Sequence, residues 1–387
     1  MKKIITVSVI ILCLLLSLTQ MPVVAMGLPQ SNQETEQPTA YYCNEDECNT
    51  QEVCAIPKKN PRCTQVYAPQ MDTLEPKVVI FLHGWKLIRP RLWYRDHIAK
   101  LTSQGYFVFY PSYQPSPKRG KDKETGKNSQ VENALKGLKS AFVTLNRSPE
   151  FIKAFPKFTA AYKACDSSKT VLLSECKIHT FLYGHSLGGF FALSWPYFFD
   201  KYKDDILQDW PQKGIIFPEQ IIASNPVSWQ PKRWEERKKK IPSLCTGSDY
   251  FLSIYKTGQS IPTDLPVAIL HSKDDQIAPI EKFWPEKCWD RIKSKNKKMY
   301  MTKRKSSVPL WFKPGHMQAA TKRRSFTNDL DKEFIWPAVN LAFSGELRAD
   351  ALEFSPSRFT DEHNRFATCI YYPKGESGLG SLLGPCR

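Results

Sequence analysis

Apolar positions along the chain fall into two kinds of stretch. Short, nearly continuous apolar runs occur at Val78–Leu82, Tyr106–Tyr110, Ile178–Tyr183 and Pro266–His271, with shorter ones at Ile221–Ala223 and Lys298–Thr302. Runs of this length, rich in β-branched and aromatic residues and closed by Gly or Pro, are the pattern of strands buried on both faces. Between them the spacing changes. Arg91–Gln104 and Ser129–Asn146 repeat apolar residues every three or four positions, as in Val131, Leu135, Leu138, Phe142 and Leu145. That spacing predicts amphipathic helices. Strands alternating with helices predict an α/β fold, with a mainly parallel sheet covered on both faces.

The ends of the chain break this pattern. Residues 1–25 read as a signal peptide: Lys2 and Lys3 lead a 15-residue apolar run, Ile4–Leu18, and small residues precede a cut near Ala25–Met26. A membrane-spanning helix needs about 20 apolar residues, so cleavage is the expectation over an anchor. Residues 26–70 form a polar leader followed by a cysteine-rich segment. Residues 71–345 hold the alternating pattern, and 346–387 extend beyond it. Residues 196–260 do not read as one strand–helix unit and are the candidate for a cap.

Eleven cysteines sharpen the picture. Cys13 lies in the leader, and the other ten are Cys43, Cys48, Cys54, Cys63, Cys165, Cys176, Cys245, Cys288, Cys369 and Cys386. An even number in an exported chain predicts disulfides. Four fall within 43–63 as a stapled N-terminal segment, and Cys165/Cys176 and Cys369/Cys386 are spaced to close short loops. No CxxC occurs, so no zinc site is expected. The formal net charge is +17, with basic clusters at 232–233, 237–240, 291–298, 303–305 and 322–324. Such clusters read first as a solvated lysine-rich surface, with an anionic surface such as lipid headgroups or acidic glycans as the alternative. No nucleic-acid motif accompanies the charge.

The chemistry concentrates after the Ile178–Tyr183 run, in Gly184-His185-Ser186-Leu187-Gly188-Gly189. A serine flanked by glycines two residues away, between a strand and a helix, is the pattern of a nucleophile elbow. The turn is sharp enough that side chains at 184 and 188 would collide. A serine hydroxyl needs a base, and the base needs a carboxylate. In the chain order Ser, acid, His, the acid is expected after the 266–271 strand, where Asp274 and Asp275 stand side by side. Asp275 is preferred because the apolar residues Ile277 and Pro279 follow it. His271 precedes these acids. His316, in Pro314-Gly315-His316, is preferred as base over His363, which sits among charges at 361–364. Two backbone N–H groups must face the developing oxyanion. Leu187 supplies one, and Trp85, following His83-Gly84 at the end of the 78–82 strand, supplies the other.

Phe81-Leu82-His83-Gly84-Trp85, the Gly184–Gly189 elbow, Asp275 and Pro314-Gly315-His316 together resemble the α/β-hydrolase superfamily, over roughly 76–345. The elbow is similar to that of many lipases and carboxylesterases. The resemblance implies an exported, secreted or periplasmic, serine hydrolase acting on an ester or lipid-like small molecule through an acyl-enzyme, with no cofactor. The superfamily also includes peptidases and other acyl hydrolases, so mechanism is implied more strongly than substrate. Two departures stand out. The interval from Asp275 to His316 is long and lysine-rich, and a single glycine follows His83. Aromatic residues near the motifs (Trp85, Trp93, Tyr183, Trp195, Trp229) are expected mostly as packing, the remainder as walls of an acyl pocket. A non-catalytic binding protein on the same scaffold is the rival from another class.

Overall fold

The computed structural model of the chain describes residues 39–43, 48–49, 62–85, 87, 89–113, 128–165, 176–227, 254–272, 275, 277–278, 289–304, 335–341, 343 and 366–371. All lie within the unit Gln37–Arg387. The expected signal peptide, Asp274, His316 and His363 lie outside these residues.

Among the described residues, ten strands make one sheet. In chain order they are β1 (Ala40–Cys43), β2 (Cys48–Asn49), β3 (Thr64–Tyr67), β4 (Lys77–Leu82), β5 (Tyr106–Pro111), β6 (His179–His185), β7 (Gln220–Ser224), β8 (Val267–Ser272), β9 (Lys297–Arg304) and β10 (Phe366–Tyr371). Their spatial order is β10-β9-β8-β7-β6-β4-β5-β3-β1-β2. The six strands from β5 through β4, β6, β7, β8 and β9 run parallel, as the apolar runs predict. The chain steps from β4 outward to β5, returns across β4 to β6, and then proceeds in the other direction to β9. That reversal makes a topological switch point between β4 and β6, the place at the carboxyl ends of the strands where open α/β sheets bind ligands. This is the α/β-hydrolase arrangement.

Burial follows the pleat. On β4, Val78, Ile80 and Leu82 enter one core, while Val79 and Phe81 enter another on the opposite face. Helices cover both. α1 (Pro90–Trp93) leads into α2 (Arg95–Ser103). Ile98 and Leu101 of α2 pack on the Val79/Phe81 side. α3 (Asn128–Leu145) packs Val131, Leu135, Leu138 and Phe142 on the other face. α4 (Pro149–Ala154) and α5 (Pro156–Ala164) follow there. α6 (Leu187–Tyr202) runs down that same face behind β6.

α6 runs through Pro196 without ending there. A proline inside a helix removes one hydrogen bond and costs about 3 kcal/mol. Here Trp195, Phe198 and Tyr202 are all buried around it, and burying a large apolar side chain contributes about 1.5–3 kcal/mol each. Packing therefore carries the helix past its breaker.

The chain ends are drawn into the sheet. The segment read as a cysteine-rich N-terminus sends β3 against β5 and β1 against β3, both antiparallel. The C-terminal extension sends β10 against β9. Neither carries a long apolar run, since backbone pairing at a sheet's flank demands less of the sequence than double-faced burial. Cys165 and Cys176 are joined, with Cα atoms 4.4 Å apart, and Cys43 and Cys63 are each disulfide-bonded. Of the region considered for a cap, residues 196–227 hold the end of α6, a 3-10 turn at Lys213–Ile216 and β7. Residues 228–253 lie outside the described residues. Among the described residues no helix is long and apolar enough to cross a membrane.

Candidate active site

Ser186 stands at the tip of β6 with φ 56° and ψ −119°, one of two non-glycine residues with positive φ among those described. A side chain in this region is strained and persists only where its surroundings hold it. The surroundings are visible. A Cβ on Gly184 would lie 2.2 Å from the carbonyl oxygen of Gly188, and one on Gly188 would lie 2.1 Å from that of Leu82. Neither position admits a side chain: Gly184 for the clash within the turn that the sequence predicts, Gly188 for a different reason, its contact with the backbone of β4. The Ser186 N–H donates to Ser224 O at 2.9 Å, and its carbonyl accepts from Phe190 N–H and Val227 N–H at 3.1 and 2.9 Å. The backbone is thus locked between β7 and α6. Ser186 occupies the N-cap of α6 but makes no capping hydrogen bond with its side chain. Leu187 is the first residue of α6. First-turn N–H groups have no partner within a helix, and with the helix dipole they favour negative charge.

The turn after β4 lies against this elbow. A Cβ on Gly84 would come within 3.2 Å of Ser186 Cβ and 3.3 Å of His185 Nδ1. Leu87 N–H donates to Gly84 O at 3.1 Å, closing a four-residue turn with half-buried Trp85 in its second position. The Gly84 N–H is committed elsewhere, donating to Tyr94 Oη at 3.1 Å. The next amide along the turn is that of Trp85, the residue expected to serve the oxyanion.

His83 is fully buried, its ring stacked 4.2 Å from that of Tyr113 and 5.2 Å from that of Tyr110. Burial pushes its pKa down to about 4, against a smaller upward pull from the Gly84 carbonyl. Neutral His83 donates Nδ1–H to Gly84 O at 2.7 Å. It serves the turn and is spoken for as a base.

On the other flank, Asp275 is 2% exposed. Its Oδ1 accepts from the N–H groups of Ile277 and Ala278, each at 2.8 Å, and its own N–H donates to Ser272 O. His271, at the end of β8, bonds through Nε2 to Ala278 O at 2.8 Å and so braces the loop from below. Asn225, the other positive-φ residue, accepts at Oδ1 from Ser272 N–H at 3.0 Å. That bond ties the loop beside Ser186 to the strand that carries Asp275.

The structure therefore brings Ser186, Leu187 and Trp85 together and places Asp275 at the same edge of the sheet, two strands away. Sequence reasoning did not find Tyr94, Tyr110, Tyr113, His271 or Asn225. Tyr110 and His271 sit in apolar runs that read as core, and the others have no motif around them. Of the aromatics expected near the site, Tyr183 and Trp195 are wholly buried packing, Trp195 donating its Nε1–H to Ile216 O. Among the described residues no cluster of His, Cys, Asp or Glu could hold a metal ion.

No family model matches the chain, and no curated protein matches it. Solved structures do. Esterase B from Lactobacillus rhamnosis (HN001) is 15% identical, covering 86% of this chain and 90% of that one at a TM-score of 0.44. TT1662 from Thermus thermophilus is 15% identical over 74% and 93%, with a TM-score of 0.36. The esterase Pf2001 from Pyrococcus furiosus is 14% identical over 74% and 83%, with a TM-score of 0.37. At these values it is the chain's own strand order and elbow that define its fold.

Proposed function

We propose that this chain is an exported serine hydrolase that cleaves carboxylic esters through an acyl-enzyme. The observation that carries this reading is Ser186, held at φ 56° between two glycines that admit no Cβ and facing the Gly84 turn. Stored backbone strain of this kind has no structural use in an ordinary strand-to-helix connection, and it presents a hydroxyl at the carboxyl ends of the strands.

In the reaction, His316 takes the Ser186 proton as Oγ attacks the acyl carbon. The N–H groups of Trp85 and Leu187 hold the oxyanion. His316 then returns the proton to the departing alcohol as the C–O bond breaks. Water, activated by His316, attacks the acyl-enzyme and restores Ser186. Asp275 orients the imidazole and stabilises its charged form. Its Oδ1 is engaged by two backbone amides. Export through the 1–25 signal peptide accords with disulfide-bonded Cys43, Cys63, Cys165 and Cys176, since such bonds persist in oxidising compartments. The substrate is an ester or lipid-like small molecule, and the basic surface favours approach to anionic lipid.

The test is labelling of the oxidised mature protein with a fluorophosphonate, beside Ser186→Ala, followed by a panel of p-nitrophenyl esters and peptides. We expect labelling and ester turnover that Ser186→Ala abolishes, a loss on the order of 10⁴-fold or more. Labelling retained in the variant, or absent from folded wild type, would overturn the assignment. Turnover of peptides in preference to esters would transfer the same triad to a peptidase.

A further inference from the structure

Three tyrosine hydroxyls converge on the backbone of one short turn. Tyr94, just before α2, accepts from the Gly84 N–H at 3.1 Å. Tyr110, at the end of β5, donates to Leu87 O. Tyr113, two residues beyond β5, donates to His83 O. All three side chains are wholly buried. To these His83 adds its own bond to Gly84 O. The ties fall at residues 83, 84 and 87 and flank Trp85 on both sides.

Tyr94 does more than hold the turn. Its Oη also lies 2.8 Å from His185 Nδ1, on the residue immediately before the nucleophile. One hydroxyl thus bonds both the Gly84 N–H and the His185 ring. Burial raises the pKa of all three tyrosines well above the ordinary phenol value.

We propose that Tyr94, Tyr110 and Tyr113 are positioning residues that hold turn 83–87 rigidly against the elbow, so that the Trp85 amide is preorganised for the oxyanion before substrate arrives. The inference rests on the serine-hydrolase reading of the site. Its physical basis is that an oxyanion donor stabilises the transition state only if it need not reorganise, and that removing one costs about 10²–10³ in kcat. A displacement near 1 Å costs about 10²-fold. Tyr94 has the largest role, because it alone couples turn and elbow. Tyr110 and Tyr113 fix the turn's two carbonyl ends.

The experiment compares Tyr94→Phe, Tyr110→Phe and Tyr113→Phe in the full oxidised chain. Tyr162→Phe is the control, since the Tyr162 hydroxyl is also buried but accepts from Trp210 Nε1 at 3.1 Å, away from the turn. Three readouts are taken: kcat and KM on a p-nitrophenyl ester, affinity for an alkyl boronic acid that forms a tetrahedral adduct on the serine, and hydrogen exchange across residues 83–87. Tyr94→Phe should lower kcat about 10–100-fold with KM within about twofold, lower boronate affinity in parallel, and speed exchange in the turn. Tyr162→Phe should change none of these. Faster exchange with kcat and boronate affinity held within twofold would overturn the proposal, since the turn would then be loosened without consequence. A fall in kcat that only tracks the unfolded fraction in denaturant titration would overturn it too. Fluorophosphonate labelling of the wild type distinguishes this failure from failure of the site itself: an unlabelled wild type removes the serine-hydrolase reading and the positioning role with it.

Discussion

On the β4 side of Ser186, turn 83–87 is held by side chains that arrive from elsewhere: Tyr94, Tyr110 and Tyr113 reach its backbone across 10, 23 and 30 residues. On the β8 side, the acid-bearing loop is held largely by itself. Asp275 takes the amides two and three residues on, and His271 reaches seven residues to Ala278. Asn225 reaches the end of β8, at Ser272, from a distant part of the chain. The two flanks solve one problem, fixing a loop at the carboxyl edge of a sheet, with different means. The β4 turn takes most of its ties from distant hydroxyls, with His83 adding one local bond to Gly84 O. A loop that must offer a carboxylate can use one oxygen of that carboxylate as its own brace.

The sharpest way to test this contrast is at Asp275. Asp275→Asn keeps an Oδ1 acceptor for both amides but removes the charge. On the proposed mechanism kcat should fall about 10³–10⁴-fold, while the denaturant midpoint stays near wild type. Asp275→Ala should lose activity similarly and also destabilise by about 1–3 kcal/mol, from one buried and one part-buried amide left without their acceptor. Equal midpoints for the two variants would remove the self-bracing account of that flank.

At Gly188 the expected effect is on the fold. Its Cβ position lies 2.1 Å from Leu82 O and 2.7 Å from His83 O, both backbone atoms. Gly188→Ala must push the elbow away from the β4 turn and should cost more than about 3 kcal/mol in urea titration. A cost below about 1 kcal/mol would mean that the two are less tightly apposed than the geometry has them.

A third difference appears with pH. His83 sits within the β4 flank and His97 beneath it, where ring centroids of Phe81 and Tyr183 lie 5.3 and 4.9 Å away. Burial lowers the pKa of His83 to about 4 and that of His97 to about 3. Both are lower in the folded chain than the ordinary 6.5, so the unfolded chain binds more protons below that pH. The resulting stability is complete above about pH 6.5 and is lost as pH falls from there through about 4 and then 3. The slope is at most about 1.4 kcal/mol per pH unit for each histidine. Chemical denaturation between pH 7 and 4 should show it, and His97→Phe should flatten the slope by about half. An unchanged slope in that variant would place the acid sensitivity elsewhere.

The smallest effect is expected at His271. His271→Phe removes one bond to Ala278 O from an otherwise braced loop, and about 1 kcal/mol of stability should go with it, by thermal or urea unfolding.

How much of this was legible beforehand depended on distance along the chain. The strands β4 to β9 were readable because each is buried on both faces, which demands a continuous apolar run. The elbow was readable at Gly184, whose clash is with Gly188 four residues on, but the clash that forbids a side chain at Gly188 is with Leu82 and His83, and the spacing did not show it. Asp275 stood out for its place after β8 and the apolar residues that follow it. The continuation of α6 past Pro196 was not legible, because the decisive term is burial of Trp195, Phe198 and Tyr202 against elements elsewhere. Nor were β1, β3 and β10, whose pairing is a property of the sheet edges they meet.

The sequence by itself determined the parallel core, the nucleophile elbow, and the candidates for acid and oxyanion donor. These depend on composition over a few residues, and steric and hydrophobic rules act at that range. Only the tertiary structure decided which side chains hold those groups in place. Tyr94 between Gly84 and His185, Tyr110 and Tyr113 beneath the turn, and Asn225 between β7 and β8 became partners when the sheet assembled. A hydroxyl's reach is a few ångströms in space, and nothing in one-dimensional spacing encodes it.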